Sequence, residues 1–389
     1  MSRPLIRIPY TDLFPPPQPI PRTANSLPGA VAALQEFLLS PTPRDRNLPG
    51  STVVLTGAGL SVSSGLSDYR GTNGTYRKNK TYRPIYYHEF LANHEARKRY
   101  WARSFLGWGA LRGAGPNAGH YAVRDLWRMG LVGRVVTQNV DSFHAKAHPE
   151  LSTLELHGYL RAVVCVTCRN EMAREEMQGE LARLNPRWDE FLRAAVTEGA
   201  HAIRTNPDGD AEVPGAPYTT FRYPACPTCL RDPPDAGGER ATVEVDGDGA
   251  WSPTSTAGIL KPAVVMFGEN IADRVKQAAE EAIDGAGRLL VLATSLATYS
   301  AWRLAKRAKD RGMPIAIVNM GGVRGEEAFF ADLDPNQTGA HGVRVDMSTD
   351  VVLPALVKEL QQNPFRRPLA VEAQGKEVPK EAVFRDMVK

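Results

Sequence analysis

The sequence has no apolar run approaching the ~20 residues that a membrane-spanning helix requires, and no hydrophobic secretory segment near its start. The expectation is a soluble chain with no membrane partner. Cysteine is scarce, with four residues in 389, so a disulfide scaffold is not the organising device. One-sided charge is missing as well. The 47 basic residues nearly balance the 43 acidic ones, and the net charge of +4 gives little reason to expect direct nucleic-acid binding.

What is present suits a large globular protein. The chain is 42% apolar and 23% charged, enough to bury an extensive core in two or three domains. The first 30 residues carry Arg3, Arg7 and Arg22 against the single acid Asp12, the charge bias of a mitochondrial transit peptide. The run Pro15-Pro16-Pro17-Gln18-Pro19 breaks any amphipathic helix there, so a flexible, proline-rich leader fits equally well.

Beyond the leader, Val31, Leu34, Phe37 and Leu38 recur at helical spacing between Pro28 and Ser40. Short aliphatic runs then predict strands at Thr52–Thr56, Arg134–Thr137, Ala263–Phe267, Leu289–Ala293, Ile315–Asn319 and Val343–Asp346. Helical patterns at Ile271–Gly285 and Tyr299–Arg311 separate several of them. This alternation predicts an α/β fold, a Rossmann-like doubly wound parallel sheet. Two stretches interrupt it: a helical, aromatic-rich insertion at about 75–128, and a polar, Pro/Gly/Asp-rich module at 161–257. The expected organisation is a leader and helix (1–48), a nucleotide-binding domain in two pieces (49–160 and 258–362), the inserted module, and a C-terminal extension (363–389).

The inserted module holds Cys165-Val-Thr-Cys168 and Cys226-Pro-Thr-Cys229. Each pair can present two thiolates to one ion, and four sulfurs make the closed tetrahedral cage of a structural Zn²⁺ site. A thioredoxin-like redox pair is the competing reading, and two such pairs in one chain make it the weaker one.

Gly57-Ala58-Gly59 follows the first strand, where a phosphate can approach backbone N–H groups. The dehydrogenase fingerprint is incomplete: Val62 stands at the third glycine position, and the region about 20 residues on is Arg77-Lys78-Asn79-Lys80 in place of a ribose-binding acid. A hydride-transferring dehydrogenase is therefore disfavoured.

The longer string from Gly57 through Ser61, Gly65, Asp68, Tyr69 and Arg70 to Gly71 closely resembles the first signature of the sirtuins. Thr137-Gln138-Asn139-Val140-Asp141-Ser142-Phe143-His144 resembles the second, and Glu155-Leu156-His157-Gly158 the segment with the family's catalytic histidine. The two cysteine pairs, Val264–Glu269, Ala293-Thr294-Ser295-Leu296 and Ile317–Gly321 follow in family order. Arg83-Pro84-Ile85, Arg99–Arg103, Leu184–Trp188 and Ala297–Ser300 look most like the mitochondrial class II branch.

The resemblance implies an NAD-dependent protein-lysine deacylase, a deacetylase or an enzyme for longer acyl chains. It transfers the acyl group of a protein lysine to ADP-ribose and releases nicotinamide; NAD is consumed. His157 is implied as the base, for which an imidazole near its working pH is suited. Asn139 and Asp141 are implied to grip the nicotinamide. The implied dinucleotide site draws on Gly57, Ala58, Gly59, Ser61, Gly65, Asp68, Tyr69, Arg70, Gln138, Val140, Ala293, Thr294, Ser295, Asn319, Met320 and Gly321, with Ser348 toward the adenine. Tyr76 and Arg77 are candidates for that site and for recognising a negatively charged acyl group. Val265, Phe267, Gly268 and Glu269 are implied to offer an extended edge to the acyl-lysine peptide. A protein mono-ADP-ribosyltransferase is the alternative activity, and a zinc-stabilised scaffold the non-enzymatic one. The expected oligomeric state is a monomer, and the expected location the mitochondrial matrix, with nucleus or cytoplasm as the alternative.

Overall fold

The computed structural model describes residues 10–42, 51–80, 82–197, 206–211, 213–236, 238–336 and 338–362. The extension expected after residue 362 lies outside them. Eleven strands occur among the described residues: β1 (Thr52–Thr56), β2 (Val132–Thr137), β3 (Thr153–Glu155), β4 (Gly158–Cys165), β5 (Glu171–Ala173), β6 (Asp235–Ala236), β7 (Glu239–Arg240), β8 (Leu260–Val264), β9 (Arg288–Leu292), β10 (Ile315–Val318) and β11 (Gly342–Val345).

Six of them form a parallel sheet in the order β11-β10-β9-β1-β2-β3. Successive side chains on a strand point to opposite faces, and the sequence supplies apolar residues to both. Val53, Leu55, Val291 and Ile317 enter one core, beneath the helices Asp273–Asp284 and Tyr299–Asp310. Val54, Leu290, Leu292, Ala316 and Val343 enter the other, beneath Leu27–Leu39, Ala118–Arg128 and Thr349–Gln362. Burial on both sides explains why these strands read as continuous aliphatic runs. The strand order reverses between β9 and β1, so the turns that follow them leave a crevice at the C-terminal ends of the strands, where this architecture binds ligands.

The two insertions pack on each other. Trp101, Phe105 and Trp108 of the helix His94–Gly113 share a core with Trp188, Phe221, Tyr223 and three of the cysteines. The small antiparallel sheet β5-β4-β8 supports this second unit. It starts at Gly158 and ends at Val264, so it reaches past the expected 161–257 at both ends.

Residues 10–21 are laid down along the large sheet, which differs from the expected flexible leader. Ile20 and Arg344 exchange two backbone hydrogen bonds, and the Arg22 N–H donates to the Pro335 carbonyl at 2.8 Å. The prolines that forbid a helix here stiffen an extended path instead.

Candidate active site

The crevice opens into a cavity of about 1270 Å³ between the large sheet and the module. Its floor is the paired turns after β1 and β9. The Gly57 N–H donates to the Leu292 carbonyl, and the Gly59 N–H to the Ala293 carbonyl at 3.1 Å. A Cβ on Gly57 would sit 2.5 Å from that of Thr294, so only glycine lets the turns meet. Ala293 stands where a glycine would be easier: its φ is +51°.

Three side chains from two loops, one after β2 and one between β3 and β4, line the cavity above this floor. His157, between β3 and β4, directs its Nδ1 at the Gln138 carbonyl at 3.1 Å and its Nε2 at the Ser300 hydroxyl at 2.9 Å. Nδ1–H is thus the donor and Nε2 the basic nitrogen. Burial lowers the pKa of the imidazole to about 4, partly opposed by the bond to Gln138. The ring is neutral near pH 7 and able to take a proton. Asp141 accepts from the Ser61 hydroxyl at 2.7 Å and from the Phe143 N–H at 2.9 Å. Burial raises its pKa, and these two bonds pull it back. Asn139 donates through Nδ2 to the Ser61 Oγ at 3.2 Å, while its buried Oδ1 has no partner. A buried carbonyl oxygen left unpaired costs ~1–3 kcal/mol. Asn139 lines this cavity, and its buried oxygen has no donor among the described residues to satisfy it.

Gln138 is held at both ends. Its Nε2 donates to Thr294 Oγ1 at 2.9 Å, and its Oε1 accepts from Thr298 at 3.0 Å. The module contributes the opposite wall. The Val265 N–H donates to the His157 carbonyl at 2.8 Å, which ties the end of β8 to the His157 segment. The segment Val264–Glu269 is not an extended edge throughout: Phe267-Gly268 forms a turn with φ of +81° at the glycine. Glu269 holds that turn by accepting from the Met266 N–H at 2.9 Å, and buried Lys261 pairs with Glu269 at 3.2 Å. Phe267 meets the rings of Tyr69 and Tyr86, each edge-on at 6.4 Å.

In the module, the four sulfurs of Cys165, Cys168, Cys226 and Cys229 lie within 4.8 Å of one another. The Cys165–Cys229 and Cys168–Cys226 separations are 3.5 and 3.7 Å. A Zn–S length of ~2.3 Å in a tetrahedron requires sulfurs ~3.8 Å apart. These four thiols fit one Zn²⁺, with no open position for chemistry.

Residues 57–300 match the Sir2 family. The sequence is 42% identical over 285 residues to the NAD-dependent protein deacylase SIR4 of Batrachochytrium dendrobatidis, covering 72% of this chain and 83% of that relative. The chain belongs to the Sir2 family. It is also 38% identical over 277 residues to NAD-dependent protein deacetylase 1 of Streptomyces coelicolor, covering 71% of this chain and 79% of the relative. A solved structure described under "Structural Basis for the Mechanism and Regulation of Sir2 Enzymes" superposes with a TM-score of 0.53 at 25% identity, over 85% of this chain and 98% of that one.

Most of the positions that carry the sirtuin signatures line the one cavity: Gly57, Ala58, Gly59, Ser61, Asp68, Tyr69 and Arg70, then Gln138–Asp141, His157, Val265–Glu269, Ala293–Ser295 and Asn319–Gly321. Four do not. Gly65 is an exposed left-handed cap of the 3₁₀ turn Ala58–Ser64. Tyr76 is turned into the protein, stacked on Tyr69 at 5.4 Å and lying under Arg70 at 5.1 Å. Arg77 is exposed on the short helix Thr75–Lys78. Ser348 accepts from the Asp350 N–H ahead of the last helix, and Asp346 lines the cavity in its place.

Other residues enter that the motifs did not signal. Ser300 reaches His157 from the helix after β9. Asp208 and Asp210 arrive from the module; buried Asp210 pairs with Arg103 at 2.5 Å. Burial and the neighbouring Asp210 push the Asp208 carboxyl well above the usual range. Asp12, Leu13, Phe14, Pro16 and Pro17 form a further wall. A polar excursion between cysteine pairs and a proline-rich leader both read as surface, and no local pattern points them into a cavity.

Proposed function

We propose that this sirtuin is an NAD-dependent protein-lysine deacylase. The observation that carries the reading is the cavity above the Gly57 turn, which a neutral, anchored His157 shares with Asn139 and Asp141. NAD supplies an activated ribose carbon whose nicotinamide departs and whose place the acyl oxygen takes.

The chain's own residues then have separable tasks. Asn139 Oδ1 accepts from the nicotinamide carboxamide, while Asp141, fixed by Ser61 and Phe143, holds the opposite side of that pocket. Gln138 is immobilised beside the ribose by Thr294 and Thr298. His157 takes a ribose hydroxyl proton on Nε2 while Nδ1–H stays bonded to the Gln138 carbonyl, so the ring keeps its orientation as it becomes charged. The Phe267 turn and Tyr86 close the acyl-lysine side and exclude water. Zinc joins the two CxxC loops, and through β4 and β8 sets the wall that faces the substrate.

Protein mono-ADP-ribosyl transfer would use the same cofactor site. The deacylase and deacetylase names of the relatives favour acyl transfer. Incubation with NAD and an acyl-lysine peptide tests the reading: nicotinamide, deacylated peptide and O-acyl-ADP-ribose should appear together. Labelled protein without O-acyl-ADP-ribose would sink it.

We further propose a monomer that acts on acyl-lysine proteins without direct nucleic-acid binding, in the class II branch. A mitochondrial matrix location is part of this proposal. Because residues 12–17 wall the cavity, a leader cleavage compatible with it falls before Asp12. Microscopy of a carboxyl-terminal fluorescent fusion checks the compartment.

A further inference from the structure

We propose that residues 12–17 are a binding element of the dinucleotide site, a fixed strap that covers the adenosine end of the cofactor. This rests on the deacylase reading and extends it to a segment outside every motif of the resemblance.

The strap is anchored at both ends and in the middle. At its far end Ile20 pairs with Arg344 of β11. At its near end the Tyr10 carbonyl accepts from Arg70 Nε at 2.9 Å, and the Tyr10 ring lies 5.0 Å from the Arg324 guanidinium. Between these, the Pro15 carbonyl and Phe14 press on Gly322. A Cβ there would come within 2.2 Å of the Pro15 oxygen, so the glycine is what lets the strap seat. It therefore runs from Arg70 to the turn after β10 that holds Asn319, Met320 and Gly322, and we assign this side of the cavity to the adenosine end.

Two observations make it a wall with a ligand to meet. With the strap in place, the cavity still measures about 1270 Å³, above the ~300–1,000 Å³ usual for a ligand pocket. The strap narrows the cleft without filling it. Second, Leu13, Met320 and Tyr299 all line this cavity and are 63%, 65% and 64% exposed. Three large apolar side chains on one cavity, with that much surface uncovered, suit a flat aromatic base that would bury it. The proline-rich path is ordered beforehand, so closing it over a ligand costs little conformational entropy.

The test measures ADP-ribose binding calorimetrically, and KM for NAD and for acyl-peptide, in three forms: the full chain, a chain lacking residues 1–17, and full-length Leu13→Ser/Phe14→Ser. The strap predicts that both variants bind ADP-ribose about fivefold or more weakly, ~1 kcal/mol. KM for NAD should rise in parallel, and KM for peptide should hold. Should the truncated chain fail to fold, the double substitution, checked by its melting temperature, decides. Unchanged or tighter ADP-ribose binding in the folded variants overturns the proposal; tighter binding would make the strap an inhibitor. Failure of the full chain to bind ADP-ribose overturns the deacylase reading itself, a separate result.

Discussion

The Ser300 hydroxyl lies 2.9 Å from Nε2 of His157, on the nitrogen opposite the one bonded to the Gln138 carbonyl. The backbone contact fixes the tautomer, whereas the serine only occupies the basic face until a ribose hydroxyl replaces it. His157→Ala should lower kcat by ~10²–10⁴. Ser300→Ala, which leaves the Nδ1 anchor intact, should cost less than about tenfold. Nicotinamide release under saturating NAD measures both, and equal losses would contradict this division of labour.

Burial lowers the pKa of His157 to about 4 and that of His120 to about 3, and carries His144 well below its usual value. In the unfolded chain these rings titrate near ~6.5. Between those values the unfolded state binds more protons at these rings, so their contribution to stability is complete above about pH 6.5 and falls as the pH drops toward 4. Ring proton resonances of the three histidines should stay unprotonated at pH 5.5. Any of the three rings found half-protonated at or above about pH 6.5 would show the sign to be wrong.

Ala293 adopts a left-handed conformation with φ of +51°. That geometry costs an alanine ~1–2 kcal/mol, partly offset by the chain entropy a glycine would lose. Ala293→Gly should therefore stabilise the protein by ~0.5–1 kcal/mol in chemical denaturation. A destabilised variant would mean that the alanine methyl makes contacts worth more than the strain.

The four-cysteine cage should contain one Zn²⁺ per chain by atomic spectroscopy, and its removal with a chelator under reducing conditions should lower the melting temperature. Because the Val265 N–H bonds to the His157 carbonyl, deacylation should fall with it. Full activity of a demonstrably metal-free chain would refute a folding role.

The rings about Phe267 are those of Tyr69 and Tyr86, with Asp208 and Asp210 nearby, while Tyr76 and Arg77 point elsewhere. The cation beside these rings, Arg83 over Tyr86 at 5.1 Å, is already bound by Glu89, and the cavity's Lys276 and Arg303 are paired with Asp273 and Glu280. Acetyl or longer uncharged acyl peptides should turn over with at least about tenfold higher kcat/KM than succinyl peptides, ~1.4 kcal/mol. A succinyl preference would require another cation in the pocket.

Legibility followed the range of the interactions. The parallel sheet was readable because strands buried on both faces leave aliphatic runs such as Thr52–Thr56 and Arg288–Leu292. The zinc cage and the His157 segment were readable because their chemistry is packed into short strings. Tyr76 misled because its ring, immediately before the basic run Arg77-Lys78-Asn79-Lys80, turns inward to stack on Tyr69, which a string of letters does not show. Ser300, Asp208 and residues 12–17 were missed for the converse reason. They reach the cavity from 143 residues away in the case of Ser300, and only the folded topology brings them there.

The position of Tyr10 has a practical bearing on enzymology. A peptide joined directly to Tyr10 would start beside Arg324 and beside Arg70, which lines the cavity. Kinetic constants gathered with a purification handle on that end will describe the handle as well as the enzyme, so the handle belongs on the other terminus.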